Sequence, residues 1–166
     1  MSILIGLLII LTSVFFDQIT KVLAIMFLSD LPGNTFTVIP NFFRFYLTFN
    51  KGAAFSSFSG QYNILMILTV IATLIFIYMA KFANFKKAPF YSIGVYLMIG
   101  GMLGNLVDRI ATMLNVVEGV TDFISFTFFG WDFAVFNLAD ICLCVGVACV
   151  IIDMLFFESK RKREGK

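Results

Sequence analysis

The sequence predicts a membrane protein that is all-α with a small β element: four transmembrane helices, both termini cytoplasmic, and a sheet lying on the outer membrane surface. Three observations predict it. Of the 166 residues 60% are hydrophobic, with 22 Phe, and only 13% are charged, an excess of apolar side chains that suits lipid as solvent. Four stretches reach the roughly 20 apolar residues that a helix rising about 1.5 Å per residue needs to cross hydrocarbon. Basic residues gather between the second and third stretches and at the C-terminus, whereas turn residues and aromatics gather after the first. Without an internal repeat or linker, residues 1–166 read as one domain.

The first span covers residues 3–28. It resembles the apolar core of a secretory signal, but it lacks a basic leading region and a small-residue cleavage site. It also carries Asp17 and Lys21, and it is expected to be retained. Residues 29–61 open with the turn Leu31-Pro32-Gly33-Asn34. Two β-branched and aromatic runs follow, Thr35-Phe36-Thr37-Val38-Ile39 and Phe42-Phe43-Arg44-Phe45-Tyr46-Leu47-Thr48-Phe49, separated by Pro40-Asn41. Turn residues bounding such runs predict a small sheet, and its Phe content places it against a bilayer. Spans at 62–82, 90–113 and 137–157 follow. The segment 114–136 lies between the last two and holds the lone Trp131, an interfacial anchor by residue type. Lys81, Lys86 and Lys87 flank spans two and three, and Lys160, Arg161, Lys162, Arg163 and Lys166 follow span four. With four spans these groups share one face, which the positive-inside rule makes cytoplasmic.

Charge and residue type exclude several chemistries. A net charge of +2 gives no footprint for nucleic acid. There is no histidine, which removes Ser-His-Asp, Cys-His and H-E-x-x-H machinery. Cys142, Cys144 and Cys149 fall in one apolar run without metal-ligand spacing. No metal and no cofactor are expected.

Depth along the helices sorts the remaining polar residues. Entering from inside, Asp17 lies roughly 21 Å and Lys21 roughly 27 Å along span one. Asn105, Asp108 and Arg109 lie roughly 22–28 Å along span three. Asp140 sits about one turn below the outer end of span four. These groups converge on the outer boundary, while Asp153, some 20 Å farther along span four, is expected to be a solvated helix-end residue. An ion channel or transporter would instead spread polar groups through the whole bilayer.

Two carboxylates stand out, Asp122 in Val120-Thr121-Asp122-Phe123 and Asp140 in Phe136-Asn137-Leu138-Ala139-Asp140. They are either unrelated interfacial acids or a pair that shares one proton and activates water. Asp17 and Lys21, at i,i+4, form an ion pair on one face. Asp108 and Arg109 form either a second structural pair or separate groups, with Arg109, on one face with Asn105, instead holding a substrate carbonyl or a phosphate-like group. Gly100-x-x-x-Gly104 marks a close helix contact. Asn50-Lys51-Gly52-Ala53-Ala54 leaves room for a foreign backbone, with Asn50 offering both donor and acceptor.

Five blocks occur in order: Asp17-Gln18-Ile19-Thr20-Lys21; Asn50-Lys51-Gly52-Ala53-Ala54-Phe55; residues 100–109 from Gly100 to Arg109; Val120-Thr121-Asp122-Phe123; and Phe136-Asn137-Leu138-Ala139-Asp140. Together they resemble the five sequence blocks of the lipoprotein signal peptidase (signal peptidase II) family, over about residues 15–145. Met102, where the family usually has Ala, and Ile141, where a small residue is frequent, depart from the pattern. The resemblance implies a bacterial plasma-membrane aspartyl endopeptidase, inhibited by globomycin and working among membrane lipids; a monomer is expected. Such enzymes cut prolipoproteins just before a cysteine that carries diacylglycerol. Asp122 and Asp140 then match the catalytic pair. Asn50, Gly52, Ala53, Asn105, Arg109 and Asn137 match the substrate-binding set. Asp17, Gln18, Lys21 and Asp108 match supporting residues, and residues 29–61 the membrane-surface cradle.

Overall fold

A computed structural model of the chain describes residues 2–52, 62–159 and 161. Its helices are α1 (Ser2–Leu28), α2 (Tyr62–Met79), α3 (Pro89–Met113) and α4 (Leu138–Ile152). Single turns extend two of them, a 3₁₀ turn at Ala80–Phe82 after α2 and a π turn at Asp153–Phe157 after α4. All four are long and apolar enough to cross a membrane, and their bounds agree with the four spans read from hydropathy.

The least hydropathic helix is the most buried one. The most apolar stretch of α3 is 61% buried, against 17%, 11% and 17% for α1, α2 and α4. Helices facing lipid need apolar surface all round, whereas a helix surrounded by protein needs small residues that admit close neighbours. A Cβ on Gly101 would lie 2.5 Å from Ala139 O, and one on Gly94 would lie 2.6 Å from Gly146 O. These contacts draw α4 tightly against α3.

The β element is larger than the sequence reading allowed. Four antiparallel strands run in the order β1 (Thr35–Ile39), β2 (Phe43–Asn50), β3 (Val120–Phe128) and β4 (Trp131–Asp132). Beyond the sheet expected at residues 29–61, two of these strands, β3 and β4, come from the segment between α3 and α4. Its signal is Thr121-Asp122-Phe123-Ile124-Ser125-Phe126-Thr127-Phe128, a β-branched and aromatic run closed by a Phe129-Gly130 turn. Both turn residues have positive φ, 50° and 82°, as a two-residue hairpin requires.

A bulge in β2 sorts its side chains. Phe45 pairs with Ile124 but Thr48 pairs with Asp122, so the register shifts by one between them. In an unbroken ladder Leu47 would oppose Asp122 and share its face. The bulge instead leaves Leu47 in an apolar core with Ala24, Leu28 and Phe123, and sets Thr48 and Asn50 on the aspartate's side.

Asp153 departs from expectation. Only 2% exposed, it is not a solvated helix end. Arg161, two turns later, donates to both of its carboxylate oxygens, and pairing of this kind is what makes a buried charge tolerable.

Candidate active site

Asp122 and Asp140 arrive from different elements. Asp122 projects from β3, and Asp140 sits in the first turn of α4. The start of α4 is built by Asn137, whose side chain accepts from Asp140 N at 3.0 Å while Asp140 Oδ2 accepts from Asn137 N at 3.2 Å. This reciprocal cap satisfies two backbone donors that a buried helix start would otherwise leave unpaired. It also fixes the rotamer of Asp140.

The same Asn137 reaches the other carboxylate. With its Oδ1 committed to the cap, its Nδ2 donates to Asp122 Oδ1 at 2.6 Å and to Asn105 Oδ1 at 3.1 Å. Asn105 Nδ2 donates to Asp140 Oδ1 at 2.9 Å, and Asn50 Nδ2 donates to Asp122 Oδ2 at 3.2 Å. Three asparagines thus hold two aspartates, each carboxylate meeting donors on both oxygens. The sequence reading assigned all three to substrate; the structure also makes them the scaffold of the acidic pair.

Behind this layer lies a buried ionic cluster. The Lys21 ammonium meets Asp17 Oδ2 at 2.8 Å and Asp108 Oδ2 at 3.1 Å, with all three side chains nearly fully buried. Gln18 Nε2 donates to Asp17, Asp108 and Gly104 O at 3.0–3.1 Å. Asp108 Oδ2 also takes the Thr121 N–H at 2.8 Å, tying α3 to the strand residue just before Asp122. The partner of Asp108 is therefore Lys21. Arg109 lies on the open side and donates to Asn105 O at 3.2 Å. Among the described residues, no buried side-chain nitrogen or oxygen lacks a hydrogen-bond partner.

The acidic pair borders a cavity of about 880 Å³ between the sheet and helices α2, α3 and α4. Asn50, Gly52, Asn105, Arg109, Asp122 and Asp140 all line it, joined by Met102 and by apolar α2 residues such as Leu65 and Leu68. Gly52 N donates to Asn50 Oδ1 at 3.0 Å, turning the chain away at the end of β2. Ala53 lies outside the described residues. A second hollow of about 450 Å³, lined by Leu23, Phe27, Phe36, Phe45 and Phe123, lies between α1 and the sheet and includes none of the carboxylates.

Burial raises the Asp122 carboxyl from its ordinary 3.8 to about 7, and the neighbouring Asp140 carboxylate pushes it the same way. The amides of Asn50 and Asn137 and the charge of Lys21 oppose this without cancelling it. Near neutrality Asp122 is therefore poised between its acid and base forms. Among the described residues no group of three or more His, Cys, Asp or Glu is placed to hold a metal ion.

Comparison with known proteins agrees with this architecture. The family described as Signal peptidase (SPase) II matches residues 9–156. Lipoprotein signal peptidases of Staphylococcus aureus strains JH9 and Newman are each 36% identical over 152 residues, covering 91% of this chain and 88% of theirs. A bacterial membrane enzyme solved by the in meso method at 2.3 Å resolution superposes with a TM-score of 0.74 at 34% identity, covering 90% of this chain and 87% of that one. A second, at 1.9 Å, gives 0.73 at 34% identity over 91% and 92% of the two chains. A match across nearly the whole chain, on a fold that assembles the same blocks into one site, places this protein in the signal peptidase II family.

Proposed function

We propose that the protein is an aspartyl endopeptidase that removes the signal peptide from prolipoproteins bearing a diacylglyceryl-cysteine. The observation that carries this reading is the bridging of Asp122 and Asp140 through Asn137, with Asp122 held near 7 at the edge of a large cavity. Asp122 carries the shared proton, and Asp140 is the base. Asp140 takes a proton from water as the water oxygen bonds to the scissile carbonyl carbon, while Asp122 gives its proton to the carbonyl oxygen. The tetrahedral intermediate then collapses. The proton on Asp140 passes to the leaving nitrogen, the C–N bond breaks, and Asp122 recovers its proton from the hydroxyl. No covalent enzyme intermediate forms.

The lipid specificity follows from depth. With Lys81, Lys86, Lys87 and the basic tail facing the cytoplasm of a bacterial inner membrane, the cavity opens near the outer face. The sheet then lies on the membrane surface, where the exposed Phe36, Phe42, Phe129 and Trp131 meet lipid. A substrate held by two acyl chains arrives at that height already oriented, each buried CH₂ adding about 0.8 kcal/mol to its partitioning. Asn50, Gly52, Asn105 and Arg109 line the path of the peptide; Ala53 is assigned to substrate by the sequence resemblance alone. The protein acts as a monomer.

A gel-shift assay tests this. Purified protein should cleave a diacylglyceryl-modified prolipoprotein, lose that activity with globomycin, and leave the free-thiol precursor uncut. Equal cleavage of the two precursors would make it a general membrane protease.

A further inference from the structure

The Lys21 ammonium reaches three acceptors: Asp17 Oδ2 at 2.8 Å, Asp108 Oδ2 at 3.1 Å and Asn105 Oδ1 at 3.0 Å. An ammonium has three N–H donors and no acceptor, so every one of them is committed. The third contact reaches toward the acidic pair. Asn105 Oδ1 also receives Asn137 Nδ2 at 3.1 Å, and Asn137 is itself oriented by the Asp140 N–H on its Oδ1. A flipped Asn105 would aim its NH₂ at an ammonium and at another NH₂, donor against donor in a buried site. Leaving buried donors facing each other without acceptors is costly. Asn105 Nδ2 must therefore face Asp140, where it lies 2.9 Å from Oδ1.

We propose that Lys21 is a positioning residue for the hydrolysis: by locking the Asn105 amide it fixes the donor that holds the Asp140 carboxylate in line to receive the proton of water. This rests on the reading of Asp122 and Asp140 as the reacting pair. A buried ion pair between α1 and α3 needs only Asp17 and Asp108 as partners. The additional bond to Asn105 is what a purely structural lysine would not require.

The charges around the pair come from several elements. Asp17 and Lys21 stand on α1, Asp108 and Arg109 on α3, Asp122 on β3 and Asp140 on α4. Lys51 lines the cavity just beyond β2 and pairs with Glu118 at 3.1 Å. Lys21 is the buried cation of this set, and it opposes proton retention by Asp122. Removing it has two separable effects: a freed Asn105 amide, and a more tightly held proton on Asp122.

The experiment compares wild type, Lys21→Met and the pair Lys21→Met/Asp108→Asn, which removes one charge of each sign and keeps the net charge of the cluster. Cleavage of a lipid-modified prolipoprotein by wild type, abolished in Asp122→Asn, first establishes the dyad; failure there would sink that reading and this proposal with it, whereas the Lys21 variants bear on this proposal alone. Both Lys21 variants should then lose about 10- to 100-fold in kcat with KM within about twofold. The alkaline limb of the pH profile should move upward in Lys21→Met and return close to its wild-type position in the charge-conserving pair, whose kcat stays low. A folded pair variant with wild-type kcat overturns the proposal, as does a rise in KM at unchanged kcat. Failure of both variants to fold makes Lys21 purely structural and overturns it too.

Discussion

The backbone N–H of Ala139 donates to Asp17 Oδ1 at 2.8 Å, joining the start of α4 to α1 across 122 positions of chain. The first N–H groups of a helix have no partner within it, and its N-terminus carries partial positive charge. A buried carboxylate from another helix answers both needs. Asp140 is the next residue, so the bond that docks α4 on α1 also sets the height of the Asp140 carboxylate at the cavity. Its other oxygen meets Lys21 and Gln18, making Asp17 the point where helix packing and site geometry are the same problem.

Asp122→Asn and Asp140→Asn should each lower kcat by about 10²- to 10⁴-fold, since each removes a proton donor or acceptor that the other cannot replace. Asp153→Asn should keep kcat within about threefold, because the residue touches neither cavity nor dyad. It should still lower thermal stability in detergent by loosening its pair with Arg161. Single-turnover cleavage and melting curves together check this. A dyad variant with near-normal turnover would end the mechanism.

The proton on Asp122 gives a pH dependence of definite sign. A folded-state value of about 7, above the ordinary 3.8, means that the folded protein holds this proton more tightly than the unfolded chain. The stabilisation it contributes is fully present below pH 3.8 and is lost as pH rises through about 7. Asp122→Asn should flatten that part of the stability profile. In wild type, kcat/KM should fall on an alkaline limb near pH 7, as the acid form of Asp122 is consumed. A rate that rises steadily from pH 6 to about 9 would contradict Asp122 as the proton carrier.

Asn137 separates capping from chemistry. Asn137→Ala loses the cap and the bridge, and should cost about 1–2 kcal/mol of stability together with most turnover. Asn137→Ser keeps an N-cap acceptor for the Asp140 N–H but loses the donor to Asp122. Its melting temperature should stay nearer wild type while kcat remains low. Normal turnover in Asn137→Ser would show that the bridge is dispensable.

Gly104→Ala should destabilise the protein by about 1–3 kcal/mol through overpacking. Its Cβ would lie 2.6 Å from Asp17 Oδ2, and Asp17 cannot withdraw, being held by Lys21, Gln18 and the Ala139 N–H. Thermal melting in detergent reads the loss. Wild-type stability would mean that the cluster is softer than its hydrogen bonds imply.

Orientation can be read with single cysteines in a background lacking Cys142, Cys144 and Cys149. Cysteines replacing Asn84 and Ser159 should react with an impermeant thiol reagent from the cytoplasmic side, and one replacing Asn34 from outside. The opposite pattern would turn the cavity toward the cytoplasm and cut its link to exported substrates.

Local sequence determined the elements and the chemical inventory. Apolar runs long enough to span hydrocarbon admit little besides helix, because unpaired backbone polar groups are too costly there, and the four spans emerged close to their observed bounds. Polar residues crowded toward one end of those spans marked Asp17, Asn105, Asp108, Arg109 and Asp140 as one neighbourhood before any packing was known. The strand that carries Asp122 is legible too, in the β-branched and aromatic run from Thr121 to Phe128. Partner choice belonged to the tertiary structure. Asp108 precedes Arg109 in the chain yet pairs with Lys21, and Asp153 is buried against Arg161, since a charge in a low-dielectric interior takes the cation that packing brings to it rather than its neighbour in sequence. The bridge from Asn137 to Asp122 likewise required β3 and the start of α4 to meet. No local rule sets that distance; the docking of α4 on α1 and α3 does.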